Sequence, residues 1–191
     1  MAVNLWLQRH AQPLIASGVC YGALDVPADA QATVRAAQAL ADCLPHGCQV
    51  RCSPLQRCEQ LAQTLRGLRP DLTYKTDARL AEMDFGRWEG QPWDALDRHE
   101  LDGWAADFAY WCCGGGESVQ GFMARVAGVW DDTQASGQST VWITHAGVIR
   151  AAMLLAQGTR KVQHSDQWPK DAPGFGEWQF VDSATILASP P

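Results

Sequence analysis

Four short apolar runs of β-forming residues, each followed by apolar residues at helical spacing, constrain this chain more than any other feature. Strands expected at 3–8, 48–52, 73–76 and 139–144 alternate with helices expected at 30–43, 54–67, 117–135 and 147–157. Alternation of this kind predicts an α/β fold, a three-layer α/β/α sandwich with a mostly parallel central sheet. The segment from Trp178 to Leu187, broken by Asp182-Ser183, adds one or two late strands, and Gln163 to Gly176, with Pro169, Pro173 and Gly174, reads as an irregular loop.

What the strands end in points to a function. Val3-Asn4-Leu5-Trp6-Leu7 runs into Arg9-His10, Thr140-Val141-Trp142-Ile143 runs into Thr144-His145, and the strand closing at Cys52 leads to Ser53-Pro54-Leu55-Gln56-Arg57. Open α/β sheets place ligands at the carboxyl ends of their strands. Ser53 suits a helix N-cap and Pro54 a first helical turn, and the unpaired N–H groups of such a helix start favour an anion close to Arg57. A single histidine at a strand end is more often a hydrogen-bonded structural residue, and a single helical arginine a surface cation. Three strand ends carrying His or Arg together point instead to a site for anionic chemistry.

The 191 residues, 47% hydrophobic and 19% charged, suit one domain with a continuous core. A net charge of −6 disfavours nucleic-acid or anionic-membrane surfaces, which need excess Lys and Arg, yet permits a small anionic substrate where a few arginines converge. No apolar stretch approaches a membrane span and Met1-Ala2-Val3-Asn4 lacks a basic start, so a cytoplasmic protein is expected. Seven cysteines give no even framework, and Cys43, Cys48, Cys52 and Cys58 lack a paired CxxC. Reduced, buried thiols and no metal site are therefore expected.

Residues 86 to 116 interrupt the alternation with Trp88, Trp93, Trp104, Phe108, Tyr110 and Trp111, and end in Gly114-Gly115-Gly116. Two readings stand together: a small helical pair packing its rings on the body, and a cap-like insertion whose rings close over an apolar part of a substrate.

Four motifs occur in order along the chain: Leu7-Gln8-Arg9-His10-Ala11, Ser53-Pro54-Leu55-Gln56-Arg57, Leu80 to Gly90 (LAEMDFGRWEG), and Thr144-His145-Ala146-Gly147-Val148-Ile149-Arg150. Together they resemble the signatures of the histidine phosphatase superfamily, the phosphoglycerate-mutase-like group. Cys20-Tyr21-Gly22, Asp25, Pro27 and Gly115-Gly116-Glu117-Ser118 are similar to its α-ribazole-5′-phosphate phosphatase branch, which serves cobalamin synthesis.

The resemblance implies a phosphomonoester hydrolase without cofactor or metal, acting on a small molecule, with His10 as nucleophile. A neutral imidazole can attack phosphorus in line if its other ring nitrogen is hydrogen-bonded, and a phosphohistidine follows. Arg9, Arg57 and His145 match the phosphate-binding positions, and Glu82 matches the residue that protonates the leaving oxygen. Asp84, Glu89 and Glu117 are neighbouring carboxylates, Glu117 with a capping position at a helix start, while Arg150 reads as a structural ion-pair partner. Ala11 departs from the family's usual glycine and would be strained if φ were positive there. Mutase-type phosphotransfer, and a non-catalytic phosphate-binding relative, are the alternatives. The substrate and oligomeric state stay open.

Overall fold

The computed structural model describes residues 4–182. Five strands form one sheet: β1 (Asn4–Arg9), β2 (Gln49–Cys52), β3 (Thr73–Thr76), β4 (Thr140–Thr144) and β5 (Trp178–Asp182), in the order β3-β2-β4-β1-β5. Neighbours among β1 to β4 run parallel and β5 runs antiparallel to β1. The remainder of the late segment, from 183 to 187, lies outside the described residues.

Side chains of a strand alternate between faces, so each strand supplies both layers. Leu5 and Leu7 of β1 and Trp142 of β4 pack with Phe122, Met123 and Val126 of α4 (Val119–Ser136) and Ile149 and Ala152 of α5 (Ala146–Ala156). Trp6, Val141 and Ile143 point the other way, onto Ala37 and Leu40 of α1 (Ala30–Cys43) and Leu61 and Leu65 of α2 (Gln56–Leu68). These are the two helical layers that the alternation predicts. Each fully buried Leu, Phe or Met contributes roughly 1.5–3 kcal/mol of transfer free energy.

The caps differ from their sequence reading in two places. Asp29 caps α1 through its carboxylate to the Ala32 amide (2.7 Å), but α2 starts at Gln56, with Leu55 at its N-cap and no side-chain cap from Ser53. The Gln56 amide is bonded instead by the Asp25 carboxylate at 2.7 Å, from the long loop after β1, so that helix start already holds an anion. Ser53 is drawn away by His145, as described below. At α4, Ser118 is the cap, accepting from the Gly121 amide, while Glu117 caps nothing and forms an ion pair with Arg125 at 2.7 Å.

Between residues 86 and 116 there is one helix, α3 (Arg98–Ala106), flanked by 3₁₀ turns, rather than a helical pair. Gly86, Gly90, Gly114 and Gly115 all have positive φ there, a conformation that breaks a helix. Trp88 is buried in the core with its ring against Trp93 and Trp104.

Cys20, Cys48, Cys52, Cys58 and Cys113 are buried, as expected for reduced thiols; Cys43 and Cys112 are exposed, against expectation, and none of the seven is in a disulfide. No described helix is long and apolar enough to cross a membrane.

Candidate active site

The sheet register gathers the three strand ends. Arg9 lies beside Thr144 and Cys52 beside Ile143. The next residues follow suit: the His10 amide donates to the Thr144 carbonyl and the Ser53 amide to the Ile143 carbonyl, both at 3.0 Å. His10, Ser53 and His145 therefore meet at the carboxyl edge, with the two imidazole centroids 5.1 Å apart.

Their hydrogen bonds fix both tautomers. A carbonyl can only accept, so His10 Nδ1 donates its hydrogen to the Ala11 carbonyl at 2.7 Å, which leaves the lone pair on Nε2. A guanidinium can only donate, so Arg57 Nε bonds His145 Nδ1 at 3.3 Å, and His145 Nε2 donates to Ser53 Oγ at 2.8 Å. Ala11 carries no strain, because no described residue other than glycine has positive φ.

Burial, reinforced by the neighbouring Arg57 charge, pulls His10 down to about 3 and His145 well below the usual imidazole range. The His10 ring is therefore neutral throughout the neutral range. An NMR titration of the free protein is expected to leave the His10 ring unprotonated down to pH 5, and a midpoint near 6.5 would contradict this. The sign for stability follows. The unfolded chain takes up protons on these imidazoles near pH 6.5 while the folded chain does not, so stability falls as pH drops below 6.5 toward His10's folded value.

Arg57, on the first turn of α2, is fully buried. Beyond His145, it donates through Nη1 to the Leu24 carbonyl (2.9 Å) and through Nη2 to the Gly22 carbonyl (2.6 Å). Three of its five N–H donors are thus spent on positioning, and two remain for a ligand. Gly22 is required for this approach, since a Cβ there would sit 1.8 Å from the Met83 carbonyl oxygen. Arg9 is held differently. Its guanidinium carbon lies 3.9 Å from the centroid of Phe175, Nη1 donates to the Pro173 carbonyl, and Nε is buried without a partner. The 163–176 segment thus folds back over the site, with the Phe175 ring also against His10.

Glu82 comes from the loop after β3, and Thr144 Oγ1 anchors that loop by donating to the Leu80 carbonyl at 2.8 Å. The amide of Gly147, on the first turn of α5, donates to Glu82 Oε2 at 3.0 Å, and the Met83 amide to Oε1 at 3.1 Å. Since His145 is the N-cap of α5, one helix start places both residues. Arg125 of α4, which sequence reasoning did not single out, holds the loop through the carbonyls of Arg79, Ala81 and Glu82 while paired with Glu117. The competing carboxylates are otherwise engaged. Glu89 accepts from the amides of Ala23, Leu24 and Phe85, and Asp84 from that of Gly86.

A cavity of about 220 Å³ opens beside Glu82, walled by Phe85, Trp93, Trp104, Phe108, Phe122 and Trp168. Arg150 also lines it. No carboxylate pairs with Arg150 among the described residues, and its hydrogen bond goes to the Lys170 carbonyl, which corrects the ion-pair reading.

The four motifs thus converge on one crevice, and a model of the histidine phosphatase superfamily, branch 1, matches residues 5–171. The chain belongs to this superfamily. Its fold is shared by solved structures of similar size. A mycobacterial glucosyl-3-phosphoglycerate phosphatase superposes with a TM-score of 0.79 at 23% identity, covering 95% of this chain and 91% of that one. The Thermus thermophilus protein TTHB049 gives 0.71 at 27% identity, covering 94% and 93%. No curated protein matches. Within this superfamily fold, the sheet register explains why motifs spread over about 140 residues form one site.

Proposed function

We propose that the protein is a phosphomonoester hydrolase that works through a phosphohistidine on His10, without a metal. The observation that carries this reading is the His10 ring: neutral, with Nδ1 bonded to Ala11, Nε2 free, and Arg9 and Arg57 beside it. In the first step the Nε2 lone pair forms a bond to phosphorus as the ester oxygen leaves and takes a proton from Glu82. Unspent N–H donors of Arg57 and Arg9 meet the charge that spreads over the phosphoryl oxygens, and His145 joins them once its one N–H turns from Ser53 to the phosphate. Arg9 must turn from Pro173 toward the phosphate. Water then takes the phosphoryl group from His10, and Glu82 accepts its proton.

Two arginines that converge on the anion supply the charge that a metal supplies in other phosphoryl transfers. The fold relative named above was also solved with inorganic phosphate and with VO3, which fits a phosphate site in this fold. The substrate we propose is α-ribazole-5′-phosphate. The aromatic cavity beside Glu82 supports it, because a leaving group with a flat ring system has a place there, next to the acid. The 86–116 segment acts in this reading as a cap within a single domain, and the seven unpaired cysteines fit a reducing, cytoplasmic setting.

Phosphate release from a panel of phosphomonoesters, α-ribazole phosphate included, before and after dialysis against a strong chelator, tests both parts. Unchanged rates and preference for the ribazole ester are expected. Activity lost on dialysis and restored by Mg²⁺ or Zn²⁺ would contradict the first, and preference for a sugar or glycerate phosphate the second.

Gly147→Ala probes the placement of Glu82. An added Cβ would lie 2.3 Å from Glu82 Oε1, so the carboxylate must shift. A displacement of that order costs about 10²-fold in rate, with the fold retained because the clash is with a side-chain end. Wild-type activity would show that Glu82's present position is unimportant.

A further inference from the structure

One ring lies over two of the groups that a phosphate has to reach. The Phe175 centroid is 3.9 Å from the guanidinium carbon of Arg9 and 5.6 Å from the ring centroid of His10. Pro173 adds to the hold on Arg9, its carbonyl accepting from Nη1 at 2.9 Å, and Nε is left without an acceptor. A ring face and one carbonyl are a weaker partner for a guanidinium than a phosphate, whose bond to arginine is charged and bidentate.

We propose that Phe175 is a latch on the phosphate site: in the free protein its ring holds Arg9 and screens His10, and an arriving phosphate takes Arg9 from it while the ring swings into a cavity beside the loop after β1. This rests on the reading of the crevice as a phosphate site and adds how access to that site is governed.

The backbone beneath Phe175 is fixed. The Glu177 amide donates to the Gly174 carbonyl at 3.1 Å, and Gly176 has φ +79° while no described residue other than glycine has positive φ. Residues 174–177 are therefore a type II turn with Phe175 at its first central position. The Gly174 amide closes that turn onto the Glu177 carboxylate at 2.9 Å. The Gly176 amide donates to the His10 carbonyl and the Arg9 amide to the Glu177 carbonyl, both at 2.9 Å, so the turn is stitched to the end of β1. What can move is the side chain. Phe175 is 38% exposed, so its ring is not packed on all sides, and rotamer changes of such side chains are fast. There is also space to receive it. A cavity of about 240 Å³ is lined by Phe175 itself and by the loop after β1, with Pro13, Ile15, Val19 and Tyr21 among its walls. The ring thus exchanges its contact with Arg9 for apolar neighbours rather than for water. While the latch is closed, only the open fraction of molecules binds phosphate, and the apparent affinity falls by that fraction. A guanidinium on an aromatic face is worth a factor of about two to five at exposed sites and about thirty when desolvated, and the partly exposed Phe175 is expected at about five.

The test is calorimetric titration with inorganic phosphate of the wild-type protein and Phe175→Ala, together with NMR of the wild type carrying isotope-labelled phenylalanine. Phe175→Ala is expected to bind phosphate about fivefold more tightly, because no ring remains to compete for Arg9. Phe175→Leu removes the π face but keeps bulk. It is expected to bind more tightly as well, which covers the case in which the Ala variant does not fold, and the signal it loses assigns the Phe175 ring in the spectra. In the wild type, the nuclear Overhauser contact between the Phe175 and His10 rings is expected in the free protein and is expected to vanish when phosphate is added. Weaker phosphate binding by Phe175→Ala would make the ring a platform that seats Arg9 for its ligand, and equal binding would remove the ring from the site. Either result would overturn the latch, as would a His10 contact kept in the phosphate complex. Tighter binding as expected, with no phosphate release from any ester, would sink the hydrolase reading and leave the latch standing.

Discussion

His10→Ala lowers phosphate release from every monoester by on the order of 10⁶-fold, the scale of loss when a covalent nucleophile is removed from a hydrolase. No other group can take its place. The second imidazole at the crevice, His145, has Nδ1 on Arg57 and Nε2 on Ser53, so neither nitrogen holds a free lone pair toward a ligand. The Ser53 hydroxyl is likewise occupied, accepting from His145 and from the Leu55 amide. Because His10 is a buried ring, the variant loses some stability, but its affinity for inorganic phosphate is expected to survive through Arg57 and Arg9. Steady-state kinetics beside a phosphate-binding measurement separates the two effects. Activity within about 10²-fold of wild type, far short of the nucleophile loss, would show that phosphorus is attacked by another group.

Glu82→Gln is expected to slow alkyl and ribose phosphates by about 10²–10⁴-fold, the usual worth of a general acid. An activated aryl phosphate needs little protonation of its leaving oxygen and should lose far less in a single-turnover measurement of phosphorylation. Glutamine keeps an oxygen to accept from the Gly147 or Met83 amide, so the loop need not move. Equal losses on both esters would instead assign Glu82 to positioning. Undiminished rates on both would remove it from the mechanism and move the acid to Asp84 or Glu89.

The parts of this site that the sequence revealed are those that short-range patterning controls. Strand period and strand ends located His10, His145 and the approach to Arg57, because a residue that follows a buried parallel strand can lie only at the carboxyl edge. Motif resemblance supplied Glu82, whose position in a loop carries no periodic signal. What stayed hidden depends on residues far apart in the chain. Asp25 takes the place at the start of α2 expected of Ser53, since the His145 ring, 92 positions away, claims the Ser53 hydroxyl and the loop after β1 brings Asp25 to the Gln56 amide. Arg125 gave no sign of its hold on the Glu82 loop, because its partner Glu117 lies before α4 and the loop carbonyls that it binds lie 43 to 46 positions away. The return of the 163–176 segment, with Phe175 on Arg9 and His10, is fixed by the antiparallel pairing of β5 with β1. A loop rich in proline and glycine does not announce that pairing.

The central claim is a covalent bond between phosphorus and His10. The most direct test is rapid mixing of the wild-type protein with a ³²P-labelled monoester, a denaturing quench at alkaline pH, where the nitrogen–phosphorus bond survives, and mapping of the labelled peptide. The account predicts label on His10 alone, appearing in a burst and chased into inorganic phosphate by unlabelled substrate. Label on a serine, aspartate or cysteine, or on His145, would contradict it.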